Sequence, residues 1–224
     1  MYQTMRQKKV INDFLKLFFK LKPKKVKNYL NRTNNFNKHI NQQIEQKYIL
    51  QKIKSYKKKI ILDYGCNDCF FSTKLNNKFK YFGIDNNKEL LKKNTKIFSK
   101  NFFFLKKNRL PFSKNYFDCI ILSHVIAHIY DTNRLFEEIS RVLKKDGIII
   151  IVSPNKIYKF FYFFLNLFNN YFPDETISKY YSQNEIFKIT KNNLKILESH
   201  SYSIINKKIF SQFIGSRIIV ILKK

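Results

Sequence analysis

From residue 58 onward the chain alternates short apolar runs with amphipathic stretches. The runs lie at 58–63, 81–85, 102–105, 117–122 and 148–152. Between them, 70–75, 88–98 and 133–143 space their apolar residues as helices do. In the last of these Leu135, Phe136, Ile139, Val142 and Leu143 form one stripe. Lys144, Lys145 and Gly147 are expected to end that helix, with basic side chains in its final turn and glycine at its cap. Continuous apolar strands separated by amphipathic helices predict a parallel sheet covered on both faces. Residues 189–197 and 218–222 add strand material, and a final hairpin is expected to close the sheet edge.

The first 56 residues read as a basic helical extension. Ile11, Phe14, Leu15, Phe18 and Phe19 recur at helical spacing, and Pro23 stops that helix. A second helix is expected over about 41–55, with Ile44, Ile49, Leu50 and Ile53 on one face. Residues 57–224 then form one α/β domain: a Rossmann-like, mostly parallel seven-stranded sheet with helices on both faces. Within it, 156–180 reads as a lid or acceptor-pocket insertion, because 160–168 is a dense aromatic run too short to span a bilayer. With Phe14–Phe19 and the lysines around both, it raises peripheral membrane contact as an expectation.

Composition adds two constraints. The chain has 224 residues, 44% hydrophobic and 17% aromatic, enough for a packed core. Its net charge of +29 is carried almost wholly by lysine. Lys, Asn, Ile, Phe and Tyr share A/T-rich codons, so compositional drift is preferred over an anionic partner, and arginine clusters that would read phosphates are missing. Cys66, Cys69 and Cys119 are too few and odd in number for a disulfide scaffold, which points to a reducing, cytoplasmic setting. The apolar run near the N-terminus is broken by Asp13 and Lys16 and reads as neither signal peptide nor membrane span.

In an open parallel sheet, ligands sit outside the carboxyl ends of the strands, so the residues following each run matter most. The first run leads into Asp63-Tyr64-Gly65-Cys66-Asn67-Asp68-Cys69. The second ends in Asp85, about twenty residues on, where a carboxylate can accept ribose hydroxyls. The third leads to Arg109-Leu110-Pro111-Phe112, the fourth to Ser123-His124-Val125-Ile126-Ala127-His128, and the fifth to Ser153-Pro154-Asn155.

This series resembles the class I S-adenosylmethionine-dependent methyltransferases of the type-11/type-12 group. Their pattern is LDxGCGxG, an acidic residue after strand two, LPF with FDxV, HVLEH, REIxRVLKPGG, and a strand ending in PN. The matching residues are Leu62–Cys66, Gly83–Asp85, Leu110–Ser113 with Phe117-Asp118, His124–His128, Glu138–Gly147 and Ser153–Asn155. A weaker match covers Tyr181–Tyr202, where Ser182 and Glu185 fit a capping box. Each motif alone is weak; their order and spacing carry the resemblance.

The resemblance implies S-adenosylmethionine as cofactor. It places Asp63 and Gly65 at the methionine end, Asn67 in the turn, Asp85 on the ribose, and Asn86 beside the adenine. Lys106 stands where the family often has an acidic residue, and the Lys107 amide can serve the adenine instead. Ser123 faces the methyl end. His124, and after it His128, are the candidate bases for a hydroxyl acceptor. The family's second and third motif glycines are Asn67 and Cys69 here. Asn tolerates positive φ, whereas Cys69 adds a side chain where helix, strand and cofactor meet.

Other chemistries fit less well. His124 and His128 have zinc-protease spacing but lack the Glu after the first histidine, so no metal is expected. Cys66-Asn67-Asp68-Cys69 sits where a thioredoxin motif would, yet Gly65 and Asp85 mark a nucleotide loop. NAD binding would suffer at least as much from the missing glycines. The expected acceptor is a small molecule, lipid or glycan. An RNA-directed methyltransferase and a non-catalytic binding protein of the same fold are the alternatives. No Asn/Asp-Pro-Pro-aromatic loop that would clamp a flipped base follows the fourth run.

Overall fold

A computed structural model describes residues 42–75, 78–98, 101–105, 109–157, 177–190, 194–202 and 217–224. The expected helix at 11–19, the aromatic run at 160–168, and Lys106 and Lys107 lie outside the described residues. Helix α1 covers 42–55. Then follow β1 (Ile60–Tyr64), α2 (Phe70–Lys74), β2 (Lys80–Asp85), α3 (Lys88–Phe98), β3 (Phe102–Phe104) and β4 (Phe117–Ser123). A 3-10 turn at Ile126–His128 precedes α4 (Thr132–Val142), β5 (Leu143–Pro154), α5 (Gln183–Thr190), β6 (Lys195–Tyr202) and β7 (Arg217–Lys223).

The seven strands form one sheet in the order β3-β2-β1-β4-β5-β7-β6. β1 to β5 run parallel, and β7 pairs antiparallel with both β5 and β6. The fold is therefore a Rossmann-like α/β sheet. From β1 the chain winds outward to β2 and β3, then crosses back to β4 on the other side. The crevice between the carboxyl ends of β1 and β4 is the topological switch point, where such sheets take ligands.

Alternation along each strand divides the core in two. Leu62, Ile120, Leu122, Ile149, Ile151 and Val220 face α4, which contributes Leu135, Phe136, Ile139 and Val142. Ile61, Cys119, Ile121, Ile150 and Ile221 face the other way, against Ile49 and Ile53 of α1 and Phe71 of α2. Although α1 lies in the stretch read as an extension, it covers one face of the sheet. Glu198 on β6 fastens it by accepting hydrogen bonds from Tyr48, Lys52 and Tyr56. Ile44, expected on the packed face, is instead 45% exposed, and Glu45 takes the inner position at 2%.

Two local expectations differ from the structure. The helix expected over 133–143, with Gly147 at its cap, stops at Val142, because Leu143 already pairs with Phe117 as strand. Lys224 Nζ caps the released carbonyls of Ser140 and Leu143 at 2.6 and 2.8 Å. Gly147 instead lies inside β5, where the register against β4 shifts between Leu143 and Ile148, and a Cβ there would lie 2.7 Å from Leu143 Cδ1. Ile189 belongs to α5 rather than to a strand, and β6 begins at Lys195. The capping box does open α5: Glu185 Oε2 accepts the Ser182 amide at 2.8 Å, and Ser182 Oγ accepts the Glu185 amide at 3.2 Å.

Candidate functional site

At the end of β1 the chain curls through three left-handed residues: Gly65 (φ 74°), Asn67 (45°) and Cys69 (57°). The amides of Gly65 and Cys66 both donate to the Ile84 carbonyl, at 2.7 and 3.1 Å, which closes the turn against β2. Gly65 is required twice over. Its φ disfavours a side chain, and a Cβ there would lie 2.6 Å from Val125 Cγ2, after β4. Asn67 meets the same backbone demand with a residue that tolerates it.

Cys69 resolves the crowding expected from the sequence. Its buried side chain packs with Cys66 and Leu91 against Phe102 and Phe104, beneath α3. Asn94 of α3 donates its amide hydrogens to Cys69 Sγ at 2.9 Å and to the Asn67 carbonyl at 2.6 Å. The third motif position is thus filled from the α3 side. A hydrogen bond with Cys69 and burial push the Cys66 thiol far up, which keeps it neutral.

Asp85, at the tip of β2, holds the loops together. One carboxylate oxygen accepts the Asn67 amide at 3.1 Å and the other accepts the Asn87 amide at 2.9 Å. The residue is only half-buried, and among the described residues each oxygen accepts one of these amides, short of the two a carboxylate oxygen can take. Asn86 is exposed beside it. Asp63 is buried on β1, and its partner is Tyr81 of β2, whose hydroxyl donates to it at 2.7 Å. Burial pushes the Asp63 carboxyl up to about 7; the Tyr81 hydrogen bond opposes this, and Asp68 and Asp85 add to it.

Across the switch point, Ser123 ends β4 opposite Val152, and His124 follows with φ 59°. The His124 amide donates to the Val152 carbonyl at 2.8 Å. Its Nε2 lies 2.7 Å from Oε2 of Glu45, on α1. Oε1 of Glu45 lies 3.1 Å from Nε of Arg217, the first residue of β7. The structure thus draws Asp63, Gly65, Asn67, Asp85, Asn86, Ser123 and His124 to one edge of the sheet.

A profile of the methyltransferase domain matches residues 55–213. The chain belongs to the methyltransferase-domain family. It is a methyltransferase, and S-adenosylmethionine is its cofactor. No curated protein sequence gives a significant match. Among solved structures, the methyltransferase is similar to PH0226 protein from Pyrococcus horikoshii OT3, at 19% identity and a TM-score of 0.62, over 82% of this chain and 90% of that one. An S-adenosylmethionine-dependent methyltransferase from Clostridium acetobutylicum aligns at 19% identity and a TM-score of 0.60, over 87% and 98%. A putative sarcosine dimethylglycine methyltransferase from Galdieria sulphuraria aligns at 15% and 0.60, over 80% and 84%. At these identities the likeness is one of fold.

Several motif residues of the methyltransferase turn out to be framework. Glu138 accepts the Leu110 amide at 2.9 Å, and Arg141 binds Glu138 and the carbonyls of Leu110 and Phe112, locking the Leu-Pro-Phe loop to α4. Arg141 first, and the Leu110 amide with it, hold the Glu138 carboxyl below its usual range against burial. Asp118 accepts the amide of Ile60 and the ammonium of Lys144 at the opposite end of the sheet. His128 is exposed in the 3-10 turn that follows His124.

Sequence reasoning missed Tyr81, Asn94, Glu45 and Arg217. Glu45 did leave a signal: it falls four residues before Ile49 and eight before Ile53, an acidic residue on an apolar stripe. Arg217 left none, because only the antiparallel placement of β7 brings it to the carboxyl edge.

Proposed function

We propose that the methyltransferase transfers a methyl group from S-adenosylmethionine to a small-molecule, lipid or glycan acceptor. The observation that carries this reading is Asp85. Its half-buried carboxylate ties the turn after β1 to the loop after β2, and both oxygens retain capacity for a ribose diol. The residues present suit the cofactor in other respects too. Cys69 is packed away beneath α3, and the three left-handed residues keep the turn compact despite the missing glycines.

In this assignment Gly65 and Asn67 shape the turn at the methionine end, with Asp63 behind it. Asp85 holds the ribose and Asn86 lies beside the adenine, with Lys106 and Lys107 following. Ser123 and His124 flank the transferred methyl, and His128 stays the second candidate base. Bound S-adenosylmethionine supplies a methyl carbon already made electrophilic by its sulfonium. The protein's part is to position the acceptor and exclude water.

The neighbour from Galdieria is named for sarcosine and dimethylglycine, which agrees with a small acceptor. Ser123-His124-Val125 in place of a base-clamping loop argues against RNA. Incubation with methyl-labelled cofactor and fractionated cell extract tests the proposal. Label is expected in the small-molecule, lipid or glycan fraction, and label confined to RNA would defeat it. As to membranes, no helix among the described residues is long and apolar enough to cross one.

A further inference from the structure

We infer that Glu45 is a positioning residue that orients His124 as proton acceptor for a hydroxyl-bearing substrate, so that the methyltransferase forms O-methyl products. The inference rests on the proposed function and names its accepting atom.

Three observations converge on this pair. First, Glu45 is 2% exposed, a carboxylate where the apolar stripe of α1 meets the sheet. Buried charges persist where partners compensate them. Its two oxygens meet His124 Nε2 at 2.7 Å and Arg217 Nε at 3.1 Å. Second, His124 is a non-glycine residue at φ 59°. Such strain survives where the surroundings fix it, and it clusters at working sites. Here the amide bond to Val152 and the contact with Glu45 supply the constraint. Third, the location is the switch-point crevice. Val125, next in sequence, packs directly over Gly65 of the cofactor turn.

Among the described residues Glu45 of α1 meets the imidazole, and Arg217 of β7 meets the other oxygen of Glu45. With Nε2 donating to the Glu45 carboxylate, Nδ1 is left as the basic nitrogen, and it has no protein partner among the described residues. The imidazole remains one-third exposed, so a substrate can reach it. As the oxygen–methyl bond forms and the carbon–sulfur bond breaks, the electron pair of the latter goes to sulfur. The acceptor hydroxyl proton goes to Nδ1. The resulting imidazolium is balanced by Glu45. A neutral amine acceptor methylates through a lone pair it already holds, whereas a hydroxyl needs its proton removed as the new bond forms.

The test uses the full chain. In the wild type at about pH 8, nitrogen NMR of the His124 imidazole should show Nε2 protonated and Nδ1 bare; the opposite tautomer overturns the inference without any variant. Glu45→Gln should lower label transfer at saturating S-adenosylmethionine by about tenfold, and His124→Gln by about a hundredfold. Calorimetric affinity for S-adenosylhomocysteine should stay within about twofold, as only transition-state help is lost. Labelled products should carry the methyl group on oxygen. Transfer unchanged in Glu45→Gln, or label only on nitrogen or sulfur, overturns the inference while leaving the proposed function standing. Failure of the wild type to bind S-adenosylhomocysteine removes both.

Discussion

Asp63→Asn should make the cofactor-free protein more stable at alkaline pH, and the structure sets the size. Asp63 is buried, and its folded carboxyl is pushed up to about 7 from an ordinary 3.8. Between those values the folded chain binds more protons than the unfolded one. Stability therefore falls as pH rises from about 4 to about 7. Three pH units correspond to a ceiling of about 4 kcal/mol, of which about 2.5 kcal/mol falls between about pH 5 and pH 8. Asparagine keeps an acceptor oxygen for the Tyr81 hydroxyl, so the variant removes the charge and retains the hydrogen bond. Urea unfolding of both proteins at the two pH values gives the double difference. The variant should gain about 2.5 kcal/mol on the wild type as pH rises. A difference constant to within about 0.5 kcal/mol would refute the assignment of a costly buried carboxylate. Saturating S-adenosylmethionine should shrink the gain, since positive charge beside Asp63 favours its ionised form.

Three further outcomes follow from other parts of the structure. Gly65→Ala places a side chain at φ 74° and 2.6 Å from Val125 Cγ2, so it should cost about 2–4 kcal/mol in denaturant unfolding; a loss below about 0.5 kcal/mol contradicts the need for glycine in the turn after β1. Glu138→Ala leaves the Leu110 amide and Arg141 without their shared acceptor and should cost about 1–3 kcal/mol, against an effect near zero if the Leu-Pro-Phe loop is held otherwise. Lys156, with help from Ser182, lowers the Glu185 carboxyl to about 2 from 4.5; its stabilisation should be present above about pH 4.5 and lost as pH falls toward 2, so acid unfolding of Glu185→Gln should lack that limb.

The sheet was legible because its strands are buried on both faces and read as unbroken apolar runs, as 148–152 does most plainly. The Ser182–Glu185 cap was legible because both partners lie within one turn. The part played by 144–147 was not, because a basic, glycine-terminated stretch suits a helix cap as well as the start of a strand. What decided it was pairing with β4 and the distant Lys224. At the site, Gly65, Asp85 and His124 stood out by their place in the strand order. Glu45 reaches His124 across 79 residues of sequence, and Asn94 reaches Asn67 across 27. Arg217 lies farther still along the chain from the Glu45 carboxylate it meets. Such contacts follow from how α1, β7 and α3 dock, which local spacing does not encode.

Titration calorimetry of S-adenosylmethionine into the wild type and Asp85→Ala tests the central claim most directly. The wild type should bind with a Kd in the range of about 1 μM to 1 mM, and Asp85→Ala, still folded by circular dichroism, should bind at least about tenfold more weakly. Equal affinity in the two proteins, or no heat from the wild type at millimolar cofactor, would contradict a cofactor cradle built from the β1 turn and Asp85.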